Sequence, residues 1–131
     1  MKLLLVLLLF GCSHLYAQSS LKNSVVLGEK IYLRKCATCH GKSGLGKEKR
    51  IPPLANSDYL TNNQESSIRG ILFGLKGEIT VNGVNYNRKM KAVKLSDLEV
   101  ANVMNFIQNS WGNKNKKSVT KEAVAKIRTK H

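Results

Sequence analysis

The chain has 131 residues, enough for one domain with a small core, and 42% of them are hydrophobic. Its 22 lysines and arginines against 8 aspartates and glutamates give a formal net charge of +14. A nucleic-acid partner is excluded because the N-terminus predicts export and no basic motif interleaved with aromatic residues occurs. The charge therefore indicates either a solvated lysine-rich surface or attraction to an acidic partner or an anionic membrane.

The N-terminus is expected to be a signal peptide over residues 1–17, because a lysine precedes an apolar run at residues 3–10 and Ala17 is an acceptable cleavage point. The run is too short to span a bilayer. Cleavage there leaves residues 18–131 as one domain. The alternative is lipidation at Cys12, since the residues before it loosely resemble a lipobox. Either route predicts a periplasmic protein, anchored to the membrane in the second case.

The first predicted helix of the domain covers residues 24–38, with Ser24 as its cap. Gly28 lies four residues before Tyr32. Another helix can therefore approach closely at Gly28 while Tyr32 packs beside it.

A Cys-x-x-Cys-His motif follows, made of Cys36, Cys39 and His40, which is the attachment signature of c-type haem. On a helix, the i to i+3 spacing puts both sulfurs on one face, where each can bond to a haem vinyl group. His40 falls on the same face and can bring its imidazole under the iron. The motif predicts one covalent haem c, attached through Cys36 and Cys39.

Two rival readings of the paired cysteines are a thiol redox pair and half of a zinc site. A redox pair requires a thioredoxin-like βαβ surround, and a zinc site requires two more ligands. No cysteine follows Cys39, and the later histidine is the terminal His131. Removing residues 1–17 also leaves two cysteines, so the haem accounts for both without a disulfide.

The next stretch is a glycine-rich loop that leads to Pro52. It lacks the pattern of a phosphate-binding loop. Proline leaves neighbouring carbonyls free to accept, and a ligating histidine needs an acceptor for its other ring nitrogen. The Pro52 carbonyl can therefore accept from His40, although an ordinary loop turn is the alternative.

Two helical segments and a hairpin are predicted in the middle of the chain. Residues 57–61 read as a short turn and residues 65–75 as an amphipathic helix. Arg69 lies off the apolar stripe of that helix and is either a partner for a haem propionate or a solvated arginine. Asn82-Gly83 between β-branched residues predicts a tight hairpin.

The last predicted helices are a buried one and a basic one. A capping box at Ser96 opens a helix to about residue 110, with Gly112 ending it and an apolar stripe of Val100, Val103, Ile107 and Trp111. Residues 113–131 form a basic tail. Thr120 either caps a final helix that docks through Val124 and Ile127 or belongs to a frayed terminus.

Elimination indicates the second axial ligand. A low-spin haem in this setting usually takes His or Met. Met104 lies within the amphipathic helix, where methionine generally fills the core, and His131 is at the chain end. Met90 lies in a loop and is free to fold over the opposite haem face, so we predict Met90, against an open or lysine-bound iron as the alternative.

These pieces together resemble a class I c-type cytochrome over about residues 24–130. The resemblance is carried by Gly28-x-x-x-Tyr32, the Cys36 to Gly41 motif, Pro52-Pro53-Leu54-Ala55, the segment from Val81 to Tyr86 leading to Met90, and the helix from Leu95 to Trp111. It implies a small all-α fold of about four or five helices around one haem, with a short β-hairpin near residues 79–86.

The resemblance also implies the ligand set. His40 and Met90 are the expected axial ligands, with the Pro52 carbonyl as partner of His40. In such domains proline commonly follows the ligand methionine, whereas Lys91 stands here. The first and last core helices are expected to cross near Gly28 and Tyr32.

The function that follows is one-electron transfer in a respiratory chain through an exposed haem edge, without enzymatic activity. A rim of Lys42, Lys47, Lys89 and Lys91 is expected to attract acidic docking surfaces on a terminal oxidase, reductase or quinol-oxidising complex. One alternative is a peroxidase-like enzyme or gas sensor in which Met90 dissociates. Another is a docking subunit of a membrane oxidase or reductase, attached through the basic tail; lipidated Cys12 or the same tail would give membrane association.

Overall fold

The structure, a computed structural model, describes residues 20–115 and 117–130. Within them helices and two strands follow in the order α1 (residues 20–35), α2 (Ala37–His40), α3 (Asp58–Asn62), α4 (Gln64–Phe73), β1 (Ile79–Val81), β2 (Val84–Tyr86), α5 (Asp97–Gln108) and α6 (Lys121–Thr129). The all-α prediction with one short hairpin is confirmed, with six helices in the described residues where about four or five were expected. The expected signal peptide lies outside the described residues.

The crossing of α1 and α5 follows from the missing side chain of Gly28. A Cβ placed there would lie 2.0 Å from the Asn102 carbonyl oxygen and 2.8 Å from the Phe106 Cβ. The two helix backbones are therefore in contact, as the sequence predicted. Tyr32, fully buried one turn later, packs its ring against Phe106 and Trp111 at centroid distances of 5.4 and 4.9 Å.

Both predicted ends of the first helix were wrong. The chain is already helical at residue 20, so Ser24 is an interior residue and not a cap. Its hydroxyl donates to Asn102 Oδ1 at 2.7 Å and accepts from Asn105 Nδ2 at 2.9 Å, which joins α1 to α5. The helix ends at residue 35, and a turn at Cys36 separates it from α2.

The middle elements form as predicted, with shifted ends. Ser57 caps α3 by accepting from the Leu60 amide. Helix α4 ends at Phe73, so Leu75 belongs to the segment after it and not to the helix. The hairpin pairs Val81 with Val84 across Asn82 and Gly83, whose φ values of 50° and 76° match the turn that Asn-Gly favours.

Helix α5 has the predicted capping box but a different end. Ser96 accepts from the Glu99 amide, and the Glu99 carboxylate accepts from the Ser96 amide. The helix stops at Gln108, with Asn109 as its C-cap, so Trp111 lies beyond it at a φ of 50°. Trp111 still packs against the core, but it is positioned by the turn after α5 and is not part of an apolar stripe on the helix, as was predicted.

The basic tail is part of the fold. Thr120 accepts from the Ala123 amide and caps α6, and Val124 and Ile127 are buried in the core. Arg128 donates to Asp97 at 2.7 Å and to the Leu95 carbonyl at 3.0 Å, which holds α6 at the start of α5. Of the two predictions for the tail, a docked helix and a frayed terminus, the structure shows the docked helix. Over the residues described, no helix has the length and apolar character needed to cross a membrane.

Candidate functional site

The Cys-x-x-Cys-His motif lies in the turn between α1 and α2. The Cys36 amide donates to the Tyr32 carbonyl at 2.8 Å, and the Cys36 carbonyl accepts from the amides of Cys39 at 3.1 Å and His40 at 3.0 Å. Cys36 is partly buried and Cys39 is exposed. Burial, and then the neighbouring Cys39, raises the pKa of the Cys36 thiol to about 11, so it is protonated at neutral pH.

The His40 ring is held by a backbone carbonyl. Its Nδ1 lies 3.2 Å from the Pro52 carbonyl oxygen, which can only accept, so the proton is assigned to Nδ1 and the lone pair to Nε2. His40 is 9% exposed. Burial lowers its pKa while the Pro52 hydrogen bond opposes the shift, and the net result favours the neutral imidazole that a metal requires.

The backbone around His40 is fixed on both sides. The Tyr32 hydroxyl donates to the Gly41 carbonyl at 2.6 Å, and the Gly46 amide donates to the His40 carbonyl at 2.9 Å. Burial raises the pKa of Tyr32 far above its ordinary value, so the hydroxyl stays a donor. Tyr32 was expected only as a packing residue; its hydroxyl positions the residue after His40.

The loop that carries Pro52 is tied to the end of α5 by Asn113, which the sequence did not single out. Its amide nitrogen donates to the carbonyls of Leu54 at 2.6 Å and Ile107 at 2.9 Å. Its amide oxygen accepts from the Ser57 amide at 3.0 Å. The contact joins residues 59 apart in the chain, and a single asparagine in a basic tail carries no local signal for it.

One apolar cavity brings together four of the six predicted site residues; Cys39 and Arg69 are not among its lining residues. Cys36, His40, Pro52 and Met90 all line it. Its remaining walls are mostly aliphatic and aromatic, including Leu54, Tyr59, Leu60, Ile71, Leu75, Ile79, Val81, Val93, Met104 and Ile107. The residues fit a haem, because the Cys36 thiol and the His40 imidazole line a mostly apolar space, whose other polar groups are the hydroxyls of three serines and Tyr59. Met104, predicted as core filling, is fully buried and lines this cavity too.

Met90 is held through its backbone. Its amide donates to the Leu75 carbonyl at 3.0 Å, and its carbonyl accepts from the Leu75 amide at 2.9 Å. Three residues later, the Val93 amide donates to the Ile71 carbonyl at 2.9 Å. The segment was expected to be a free loop; it is paired with the residues that follow α4.

A basic opening adjoins the cavity beside Met90. We define it by Arg69, Lys76, Lys89 and Lys91, which line an open groove that shares Tyr59, Ser66, Gly70, Leu75 and Met90 with the cavity. The described residues that line this groove include no acidic side chain. The Arg69 guanidinium lies 5.3 Å from the centre of the Phe73 ring, which places the cation at the rim.

The lysines after the motif are arranged differently from those near Met90. Lys47 donates to the Thr38 carbonyl at 2.9 Å, so its ammonium is bound to the backbone of α2. Lys42 is exposed. Of the four lysines expected to form one rim, Lys89 and Lys91 line the basic opening, and Lys47 lies against the motif instead.

Comparison of the sequence with known proteins matches the chain to one family. The profile of the family described as cytochrome c matches residues 25–111. The chain is 39% identical over 112 residues to cytochrome c-552 from Thermus thermophilus, covering 79% of this chain and 85% of that protein.

Two subunits of larger assemblies are also similar. The alcohol dehydrogenase (quinone) cytochrome c subunit of Gluconobacter oxydans (strain 621H) is 33% identical over 106 residues, covering 78% of this chain and 22% of the subunit. The gluconate 2-dehydrogenase cytochrome c subunit of Pantoea cypripedii is 35% identical over 107 residues, covering 77% of this chain and 24% of the subunit. The chain thus corresponds to about a quarter of each of these subunits.

Proposed function

Because the chain belongs to the cytochrome c family, we propose that it carries single electrons through one haem c, attached at Cys36 and Cys39, with His40 and Met90 as the axial ligands. The haem supplies a reversible one-electron iron couple, whose reduction potential is raised when His and Met are the ligands. The protein residues attach it, orient the imidazole and keep water away.

The observation that carries this proposal is the convergence of Cys36, His40 and Met90 on one apolar cavity. Met90 reaches it from a segment fifty residues after His40. The described residues that line the cavity include no second histidine, carboxylate or arginine for acid–base chemistry. This composition supports a carrier over a peroxidase-like enzyme.

The partner is proposed to be an acidic redox protein, such as a terminal oxidase, a reductase or a quinol-oxidising complex. Support comes from the basic opening, which presents Arg69, Lys76, Lys89 and Lys91 beside the cavity. Charges so placed accelerate encounter with an acidic surface and allow fast release. Arg69 is proposed to bind a haem propionate from the same rim.

A docked subunit is the second candidate, because cytochrome c subunits of two dehydrogenases are among the relatives. Deleting the basic tail cannot separate it from a free carrier, since Val124 and Ile127 belong to the core. Native electrophoresis of detergent-solubilised membranes with haem staining does separate them. A free carrier migrates alone, and a docked subunit migrates with a large complex.

We propose a periplasmic location, by export and cleavage after Ala17 or by lipidation of Cys12. Mass spectrometry of the mature protein distinguishes the two. A chain that begins at Gln18 supports the soluble form, and a lipid-bearing Cys12 supports the anchored form.

Absorption spectroscopy of the haem-loaded protein tests the ligand set. We expect the weak sulfur-to-iron band in the oxidised form and no carbon monoxide binding in the reduced form. Met90→Ala should lose the band and bind carbon monoxide. Met104→Leu is the matched control, because Met104 lines the same cavity.

Retention of the band in Met90→Ala and its loss in Met104→Leu would assign the ligand to Met104. Ready carbon monoxide binding by the unaltered protein would favour the gas-sensor or peroxidase-like hypothesis over the electron carrier.

A further inference from the structure

The segment that carries Met90 is fixed by the backbone after α4. Leu75 and Met90 exchange two amide–carbonyl hydrogen bonds, at 2.9 and 3.0 Å, as an isolated antiparallel bridge. The Val93 amide adds a third bond, to the Ile71 carbonyl at 2.9 Å. These three hydrogen bonds fix the register of the Met90 backbone independently of the contacts that its side chain makes.

Gly74 makes this pairing sterically possible. Its φ is +83°, and a Cβ at this position would lie 2.7 Å from the Met90 carbonyl oxygen and 3.1 Å from the Ala92 amide nitrogen. Both are backbone atoms of the paired segment, so they cannot move aside without displacing Met90. Any side chain at residue 74 would therefore push the segment away from Leu75.

Gly77 provides an internal comparison. It is also in the left-handed region, with a φ of +91°, but its Cβ would meet nothing within 4 Å. Alanine would suffer a similar backbone strain at both positions. The two substitutions therefore differ in one respect, which is that only a side chain at residue 74 would collide with the Met90 segment.

We propose that Gly74 is a positioning residue for Met90: by admitting the Leu75–Met90 pairing, it holds the thioether in the haem cavity and sets how readily an external ligand displaces it. This inference rests on the proposed function for Met90 as a ligand. Its physical basis is preorganisation, because a backbone already fixed loses less conformational entropy when its side chain binds. If the segment is displaced, the effective concentration of the Met90 sulfur at the iron falls. A competing ligand then binds the iron with a higher apparent affinity.

The first test needs no substitution. Amide hydrogen exchange is measured by NMR on the reduced, haem-loaded protein. We expect the amides of Leu75 and Met90 to exchange at least a hundredfold more slowly than those of the exposed neighbours Lys89 and Lys91. Exchange as fast as in those neighbours would overturn the pairing itself.

The second test compares Gly74→Ala with Gly77→Ala, using imidazole as the competing ligand for the oxidised haem. We expect imidazole to bind Gly74→Ala at least tenfold more tightly than the unaltered protein, and Gly77→Ala within twofold of it. The Met90 amide should also lose its slow exchange in Gly74→Ala. Equal imidazole affinities in the two variants, with both folded, would reject the positioning role.

The two proposals fail in different ways. If Met90 is not a ligand, imidazole binds the unaltered protein without competition from Met90, yet the slow exchange of Leu75 and Met90 persists. If the pairing is absent, the exchange is fast while the sulfur-to-iron band remains. If Gly74→Ala does not fold, the exchange measurement on the unaltered protein still decides the pairing.

Discussion

At the scale of single residues, Asn113 shows how one side chain can secure a distant loop. It bonds to Leu54, Ser57 and Ile107 at 2.6–3.0 Å and is 9% exposed. Replacing Asn113 with alanine leaves three backbone groups without these partners. We expect the free energy of unfolding of the haem-loaded protein to fall by about 2–4 kcal/mol.

Guanidinium denaturation measures this loss, with Asn115→Ala as the control. Asn115 accepts one exposed hydrogen bond, from the Lys117 amide, so its replacement should cost less than about 1 kcal/mol. Equal losses in the two variants would show that Asn113 does not secure the loop.

Residue identities in the attachment motif could be predicted, whereas the contacts that hold them in place could not. The spacing of Cys36, Cys39 and His40 carries its chemistry within five residues. The bonds from Asn113 and the Leu75–Met90 pair depend on which distant backbone groups the fold brings together. Elimination among methionines selected Met90, but did not show what holds it.

At the scale of elements, the α1–α5 crossing depends on Gly28. Gly28→Ala would gain about 1 kcal/mol of helix propensity but would place a Cβ 2.0 Å from the Asn102 carbonyl oxygen. The helices must separate to relieve that contact. We therefore expect a net loss of about 2 kcal/mol in the free energy of unfolding.

Thermal and chemical denaturation check this loss, with Glu29→Ala as the control on the exposed face of the same turn. The control should change the free energy of unfolding by no more than about 0.5 kcal/mol. A Gly28→Ala protein as stable as the unaltered one would mean that the helices do not depend on this close approach.

The capping box of α5 should respond to acid. Hydrogen bonds from the Ser96 amide and hydroxyl lower the pKa of Glu99 below the ordinary value of 4.5. The charged carboxylate is therefore favoured in the folded state. Its contribution to stability is present above pH 4.5 and is lost as the pH falls through the lower folded-state pKa.

Glu99→Gln isolates this effect, because glutamine can still accept from the Ser96 amide but does not titrate. We expect the difference in free energy of unfolding between the two proteins to shrink as the solution is acidified from neutral to below pH 4.5. A difference that is constant with pH would show that Glu99 ionisation does not contribute.

Elements that are specified by neighbouring residues in the sequence were predicted, whereas helix ends that depend on tertiary packing were not. Asn82-Gly83, the Ser96 box and the Thr120 cap each lie within a few residues of the structure they specify. The break at Cys36 has no such signal, since residues 24–38 are compatible with a continuous helix. The turn lies four residues before His40, whose ring is hydrogen-bonded to the distant Pro52 carbonyl.

At the scale of the whole molecule, the charge distribution predicts how salt affects electron transfer. Oxidation of the reduced protein by hexacyanoferrate(III), an anion, should slow as salt rises. Oxidation by the cation tris(phenanthroline)cobalt(III) should accelerate. Stopped-flow spectroscopy measures both rates, and rates independent of salt would reject steering.

The position of the charges is tested by two double variants of equal net charge. Lys89→Glu with Lys91→Glu reverses charge at the basic opening, and Lys121→Glu with Lys126→Glu does so on α6. We expect the first pair to lower the hexacyanoferrate(III) rate at low salt by about tenfold and the second by much less. Equal decreases would mean that total charge, and not the basic opening, governs the encounter.

The pairing of α1 with α5 also dictates an order of assembly. Ser24 contacts Asn102, 78 residues further along the chain. Because synthesis runs from the N-terminus at about 5–20 residues per second, α1 is made roughly 4–16 s before its packing partner exists. During that interval the cysteines after α1 belong to an unfinished chain that lacks the packing partner of α1.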